Sequence, residues 1–332
     1  MPRSLSLTLQ LFLAAACALA CAKALGLSNP FWAAMPVWVV QQAFREDLVM
    51  RAILRVAGTL AGALISLTIL YLDPSPAWMA FWLAIGVGAS AALAYWIGSV
   101  MSYGSFISGI TILVVLLPYI SSLPHDQTLT PFALAVDRIL CTLIGVVCVT
   151  AVTFPFTPLR PQPLAPRNMN GRVQQSLKRF GLCAGMACVA SAIAIAYPRF
   201  DVLAGCMTLV VYPMIMSSAP DPRPILKSLL PGVAIGVMAG IAYLAATFPL
   251  AGHPVQIILI TVGFLAAGAS LRAHPRTAPI GLDANMCFLL VAEVGTWRHG
   301  LTDAALAGVG LATAALLSYV VIRFALLRPS TL

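Results

Sequence analysis

This sequence is short of charge. Only 9% of its 332 residues are Asp, Glu, Lys or Arg, and 61% are hydrophobic, with a mean hydropathy of +0.96, whereas a soluble domain carries about 25% charged residues. Such a chain cannot clothe a core in a solvated surface, so a water-soluble globule is excluded. No GxxxxGK[ST] loop is present to cradle a nucleoside triphosphate, and HExxH, GxSxG and CxxC are missing as well. The eight cysteines (17, 21, 141, 148, 183, 188, 206 and 287) lie inside apolar runs and read as small packing residues. The histidines at 125, 253, 274 and 299 fall in expected loops with no paired-ligand spacing. No enzyme, no metal site and no cofactor is expected.

What the sequence has in abundance is long apolar runs. Stretches of roughly 17–25 residues cross about 30 Å of hydrocarbon as helices. Closed barrels need strands that alternate apolar and polar residues, and "LVVYPMIM" or "ITILVVLL" do not alternate. The fold class is therefore all-α, a polytopic membrane protein. Hydropathy predicts twelve helices, near 5–27, 30–43, 51–72, 77–97, 102–121, 132–156, 178–197, 201–217, 225–248, 254–271, 280–297 and 301–327. The N-terminal "MPRSLSLTLQLFLAAACALACAKA" has signal-peptide features, but a second apolar segment follows almost at once, so it reads as the first span. The one break in composition, rich in Pro, Arg and Gln, divides the chain into a six-helix half at 1–156, a linker at 157–177 and a second half at 178–332.

With the N-terminus placed in the cytoplasm, all but Lys23, Arg138, Arg199 and Arg298 of the 19 Lys and Arg residues fall on the cytoplasmic side. Both chain ends and the linker are then cytoplasmic. The net charge of +9 is accounted for by this bias. Basic residues scattered over many short loops do not make a nucleic-acid surface.

Two kinds of internal repeat are visible. "LGLSNPFWAAMPVWVV" at 25–40 resembles "IAYPRFDVLAGCMTLVV" at 195–211, and "GTLAG" at 58–62 resembles "GVAIG" at 232–236. These pairs predict two parallel six-helix repeats. Within the first half, "RVAGTLAG" at 55–62 returns as "RILCTLIG" at 138–145, joining helices that run in opposite directions. That is the pattern of an inverted three-helix repeat. Gly58, Thr59, Gly62, Thr142, Gly145, Gly232 and Gly236 are read as helix-packing positions, where small residues let backbones approach.

Candidate functional residues are the polar and ionisable ones inside apolar spans, because burying them costs at least about 2.5–3.5 kcal/mol each at a helix centre. Asp283 and Glu293 share the eleventh predicted helix and would lie about 15 Å apart along it, about 80° apart in rotation. On one reading they carry protons along a shared path; on the other, Asp283 caps its helix and Glu293 sits in the outer interface. Asn285 could orient either carboxyl or a substrate. The second and eighth spans are short, follow Pro30 and Pro198, and contain Pro36 and Pro213. Paired proline-broken segments in matching places point to a transporter's substrate site. Asn29, Trp32 and Trp38 in one, and Asp201 in the other, join that candidate pathway; the alternative for Trp32 is a membrane-belt residue, the reading given to Trp78 and Trp297. Lys23 and the Asp137–Arg138 pair would stand at a cavity mouth on the far side, with headgroup snorkelling the alternative for arginine.

The ordered motifs "NPFWAAMPVWVVQQ", "RAILRVAGTLAGALI" and "DRILCTLIG" resemble the membrane half of the fusaric acid resistance and aromatic acid exporter superfamily, over residues 5–156 directly and over 178–327 through the half-repeat. The resemblance implies export of aromatic carboxylic acids across a Gram-negative inner membrane, driven by the proton gradient and assisted by a periplasmic membrane-fusion protein. Larger members carry a cytoplasmic domain after each helical unit, which the linker replaces here. The superfamily is similar to plant malate-type anion channels, so a passive channel stays open as an alternative, as does a scaffold subunit of an efflux assembly. The expectation is a secondary transporter for a small organic anion, with the second and eighth spans building a central site. A homodimer in the lipid bilayer is compatible with it.

Overall fold

The computed structural model describes residues 3–72, 74–121, 130–161, 172–296 and 299–327. The linker core 162–171 with Arg167, and also His125, Trp297, Arg298 and Arg328, lie outside the described residues. The helices are α1 (Arg3–Ala24), α2 (Phe31–Val40), α3 (Arg45–Tyr71), α4 (Pro76–Ile97), α5 (Ser102–Ile120), α6 (Pro131–Thr153), α7 (Arg172–Ala196), α8 (Phe200–Ser218), α9 (Arg223–Thr247), α10 (Pro254–Ala273), α11 (Ala278–Ala292) and α12 (Leu301–Leu326). Ten of them are long and apolar enough to cross a membrane, and α2 and α11 are shorter apolar helices. The chain is an all-α, multi-pass membrane protein.

Helix ends follow local chemistry. At the start of α4, Ser75 accepts a hydrogen bond from the Trp78 N–H and Pro76 takes the first helical position; at its end Gly98 turns left-handed at φ 55°. After α6 and α9 the chain tightens into 3-10 turns at Phe154–Phe156 and Phe248–Leu250. In each, a threonine hydroxyl first bonds one turn back, Thr153 to Val149 O and Thr247 to Tyr243 O, and a Phe-Pro pair then prevents continuation.

Three boundaries differ from the sequence expectation. The α8 helix has 19 residues and runs on to Ser218 past Pro213, so it is not undersized; α2, at 10 residues, and α11, at 15, are the short elements. The α11 helix stops at Ala292 because Glu293 turns left-handed at φ 41° and Gly295 follows at φ 92°. The helical rotation expected between Asp283 and Glu293 therefore does not apply. Finally, α7 begins at Arg172, inside the expected linker, where the Arg172 Nη1 donates to Trp96 O at 2.7 Å.

Two compact units share these helices, and each draws segments from both sides of the linker. Unit 1 comprises 1–56, 136–163 and 228–308; unit 2 comprises 57–135, 164–227 and 309–332. Their boundaries fall within α3, α6, α9 and α12. Unit 1 packs α1 on α2 and α10, α10 on α11, and α11 on α2. Unit 2 packs α7 on α8 and α4, α4 on α5, and α5 on α8. Advancing the helix numbers of the unit 1 pairs by six, around the cycle of twelve, gives these pairs of unit 2, which also packs α8 on α4 and α7 on α5. The core of unit 1 gathers around the fully buried Trp38, with Leu11, Leu48, Val149 and Leu289; that of unit 2 around Leu83, Leu113, Leu117, Cys183 and Met214. The α10 helix is thinly covered, with only Leu265, Ala269 and Ala273 buried.

In lipid, apolar surface gains little by leaving the hydrocarbon, so close van der Waals fit has to hold helices together. Glycines supply it at equivalent places. A Cβ added at Gly62 on α3 would stand 2.5 Å from Ser108 O on α5, one at Gly232 on α9 would stand 2.9 Å from Ile280 O on α11, and one at Gly310 on α12 would stand 2.8 Å from Asp201 O on α8. Gly145 on α6 presses in the same way on Ala33 O of α2, Gly58 on Gly104 O, and Gly236 on Ala284 O. The four shortest helices, α2, α5, α8 and α11, are thus each met by a glycine of a long helix. Thr59 and Thr142 are buried beside these contacts, each 2% exposed.

Candidate functional site

The site is built on the short pair of unit 1, α2 packed on α11. Pro30, at the N-cap of α2, sets where the helix begins, and Pro36 lies inside it. The approach to α2 is fixed from α6. The Asp137 carboxylate accepts from the Ser28 N–H at 2.6 Å and from the Asn29 Nδ2 at 3.0 Å, and the Cys141 thiol lies 3.4 Å from Asn29 O. The Arg138 guanidinium stands over the Trp32 ring, 5.0 Å from its centre. Lys23 donates to Gly295 O at 2.7 Å, and a Cβ at Gly295 would meet Pro30 Cγ at 2.9 Å. Asn29, Pro30, Trp32, Lys23, Asp137 and Arg138 are therefore brought together, as a knot joining the α1–α2 connection, α6 and the end of α11.

At the opposite end of α2 the last carbonyls are held by arginines from two other helices. Arg272 of α10 donates its Nε–H to Trp38 O at 3.1 Å, and Arg51 of α3 donates an Nη1–H to Val39 O at 3.1 Å. Cations suit a helix C-terminus, where carbonyl oxygens point outward without partners. The Trp38 side chain is 0% exposed, and its Nε1 finds no partner among the described residues.

Asp283 is the sixth residue of α11, so it does not cap the helix. It is 8% exposed, and no hydrogen bond or ion pair engages it among the described residues. Gly232 of α9 lies directly opposite. Its neighbour Asn285 is occupied structurally, donating from Nδ2 to Gly281 O at 2.6 Å in its own helix and to Gly268 O at 2.9 Å on α10.

Glu293 lies apart from Asp283, in the turn after α11. Its Oε2 is 2.9 Å from the His299 Nδ1. Both residues line a small open cavity with Tyr243, Thr247, Thr296 and Ala304. Tyr243, bonded to the Thr261 hydroxyl at 3.0 Å, meets Phe264 and Phe288 edge-on.

The remaining candidates belong to unit 2. Pro198 precedes α8 and Pro213 lies within it. Asp201 takes both Arg199 nitrogens, Nε at 3.0 Å and Nη2 at 3.2 Å. The end of α8 is capped from α7: Arg179 donates its Nε–H to Ser217 O at 2.8 Å and an Nη2–H to Ala219 O at 3.3 Å, and it lies 3.6 Å above the Tyr95 ring. Sequence reasoning missed Arg51, Arg179, Arg272 and His299. The arginines were absorbed into the positive-inside count, and His299 was legible only as a histidine six places after Glu293.

Among the described residues no group of Cys, His, Asp and Glu could hold a metal ion. The cysteines are all free thiols. No curated protein matches the chain. No solved structure matches it either. The profile of the fusaric acid resistance protein family matches residues 5–194, more than half of the chain. Ten long apolar helices and two shorter ones among the described residues, together with that match, lead to one conclusion: this chain belongs to the fusaric acid resistance protein family, a family of membrane transport proteins.

Proposed function

We propose that the protein is an inner-membrane secondary transporter that exports aromatic or other amphipathic organic anions, coupled to proton movement. The observation that carries the reading is Asp283, a carboxyl buried in a short apolar helix with no bonding partner among the described residues. A lone carboxylate in such surroundings is costly, and intramembrane acids of this kind are characteristic of proton relays. In this scheme Asp283 takes a proton from one side and releases it on the other. Glu293, paired with His299, serves the far-side mouth. The polar knot around Asn29 and Trp32 borders the pathway in unit 1, and both chain ends face the cytoplasm. The matching of packed pairs under a shift of six supports two parallel repeats, one before the linker and one after it. A periplasmic fusion protein is the partner this arrangement would serve.

The test is Asp283→Asn in proteoliposomes. Proton-gradient-driven efflux of benzoate is expected to disappear while the protein still inserts and elutes as a monodisperse species. Benzoate flux without accompanying proton movement in the wild type would reassign the protein as a passive channel. Flux appearing only after a fusion protein is added would make it a scaffold subunit.

A further inference from the structure

The two arginines at the end of α2 do more than close a helix. Unit 2 shows what a capping arginine looks like when capping is its whole role. Arg179 is 4% exposed and uses Nε and Nη2 on carbonyls, Nη1 on Gln175 Oε1, and its flat face on Tyr95. Arg272 is different. Only its Nε–H is engaged, on Trp38 O. Its two Nη groups make no hydrogen bond or ion pair among the described residues. The neighbouring charge is another arginine, Arg51, anchored on the next carbonyl and within electrostatic reach.

With the Arg51 charge beside it, the open side of the Arg272 guanidinium is a place of positive potential that favours an anion. Among the described residues no acid pairs with Arg272: Glu46 and Asp47 bind Arg160, Asp137 binds Ser28 and Asn29, Glu293 binds His299, and neither Asp283 nor Asp303 forms an ion pair. The planar guanidinium, fixed at Nε and open at both Nη groups, presents the donor fork that matches an oxyanion with two acceptor oxygens.

We propose that Arg272, with Arg51 beside it, forms a binding site for an oxyanion at the C-terminal end of α2. Carboxylate and phosphate share the required chemistry. Resting on the transport reading above, the ligand is the carboxylate of the exported anion. The site lies at the end of unit 1 that the Lys and Arg count assigns to the cytoplasm, and it would select the anion before it moves on.

The purified full-length protein in phosphatidylcholine nanodiscs is titrated calorimetrically with benzoate and, separately, with inorganic phosphate. Arg272→Gln is expected to weaken binding by about tenfold or more, the scale of one lost charge-assisted pair. Arg272→Lys, which keeps the charge and loses the fork, falls between. Arg276→Gln removes an exposed charge from the following loop and leaves affinity unchanged. Equal affinities in wild type and Arg272→Gln overturn the site, and the transport reading survives if gradient-driven flux persists. Should Arg272→Gln not fold, competition in the wild type decides: benzoate and phosphate must displace one another, and independent binding overturns the proposal. Nanodiscs containing phosphatidylglycerol separate the sources. Lipid retained through Arg272 with no benzoate binding keeps the oxyanion site and removes the transported carboxylate as its ligand.

Discussion

Asp283 packs its Cβ directly on Gly232: a methyl group added at Gly232 would stand 2.6 Å from it. The backbones of α9 and α11 are that close because residue 232 has no side chain. Gly232→Ala is expected to displace Asp283 and to destabilise the protein by about 1–3 kcal/mol, the usual cost of overpacking a well-fitted contact. Gly181→Ala on α7 is the control, since a Cβ there meets nothing within 4 Å. Thermal unfolding in detergent should separate the two variants, and gradient-driven flux should fall in Gly232→Ala alone.

Asn285 is the polar tie between α10 and α11. Because α10 buries so little, losing the bond to Gly268 O should matter more there than on a well-covered helix. Asn285→Leu leaves that carbonyl without its donor and removes an interaction worth about 1–3 kcal/mol. Faster hydrogen exchange in α10, with α4 unchanged, is the expected signature.

Glu293 holds a left-handed backbone that an ordinary side chain adopts at a cost of roughly 1–2 kcal/mol. Glu293→Gly should relieve it and raise the unfolding temperature, while abolishing the contact with His299. Glu293→Ala loses the contact and keeps the strain, so it should be the less stable of the two. If both variants retain full proton-coupled flux, the carboxylate has no part in transport.

Asp137 fixes the start of α2 through the Ser28 N–H and the Asn29 amide. Asp137→Ala removes the carboxylate that both donors share and should cost about 1–3 kcal/mol. Hydrogen exchange at residues 26–29 should rise several-fold, and a mass-spectrometric exchange profile would localise the change.

The helices themselves were legible in the sequence. Runs of apolar residues set their number, and Pro30 marks a helix start that the structure keeps, because that signal acts within one turn of chain. Lengths that depend on distant partners were not legible. The end of α11 depends on Glu293 adopting a conformation that side chains rarely take, supported by Lys23 from far along the chain. The span of α8 runs through Pro213 because α5 and α7 pack along it. The glycine phrases were readable as small-residue steps, but the carbonyl each one meets was not. The sequence also singled out Asp283 and Glu293 by their cost in apolar surroundings, and Arg138 by its place beside Asp137 on the side poor in positive charge. Arg272 escaped notice because an arginine near a helix end looks like every other topological marker until its bond to Trp38 O is seen.

With three buried residues in twenty, α10 is a helix whose surroundings are mostly not protein. Acyl chains have to supply dispersion contacts on the sides of α10 that α1 and α11 leave uncovered. Solubilisation therefore removes part of this helix's own structural support. Short-chain detergents should loosen α10 first, and chain length in the supporting lipid belongs among the variables that set how well Asn285, and through it α11, stays in place.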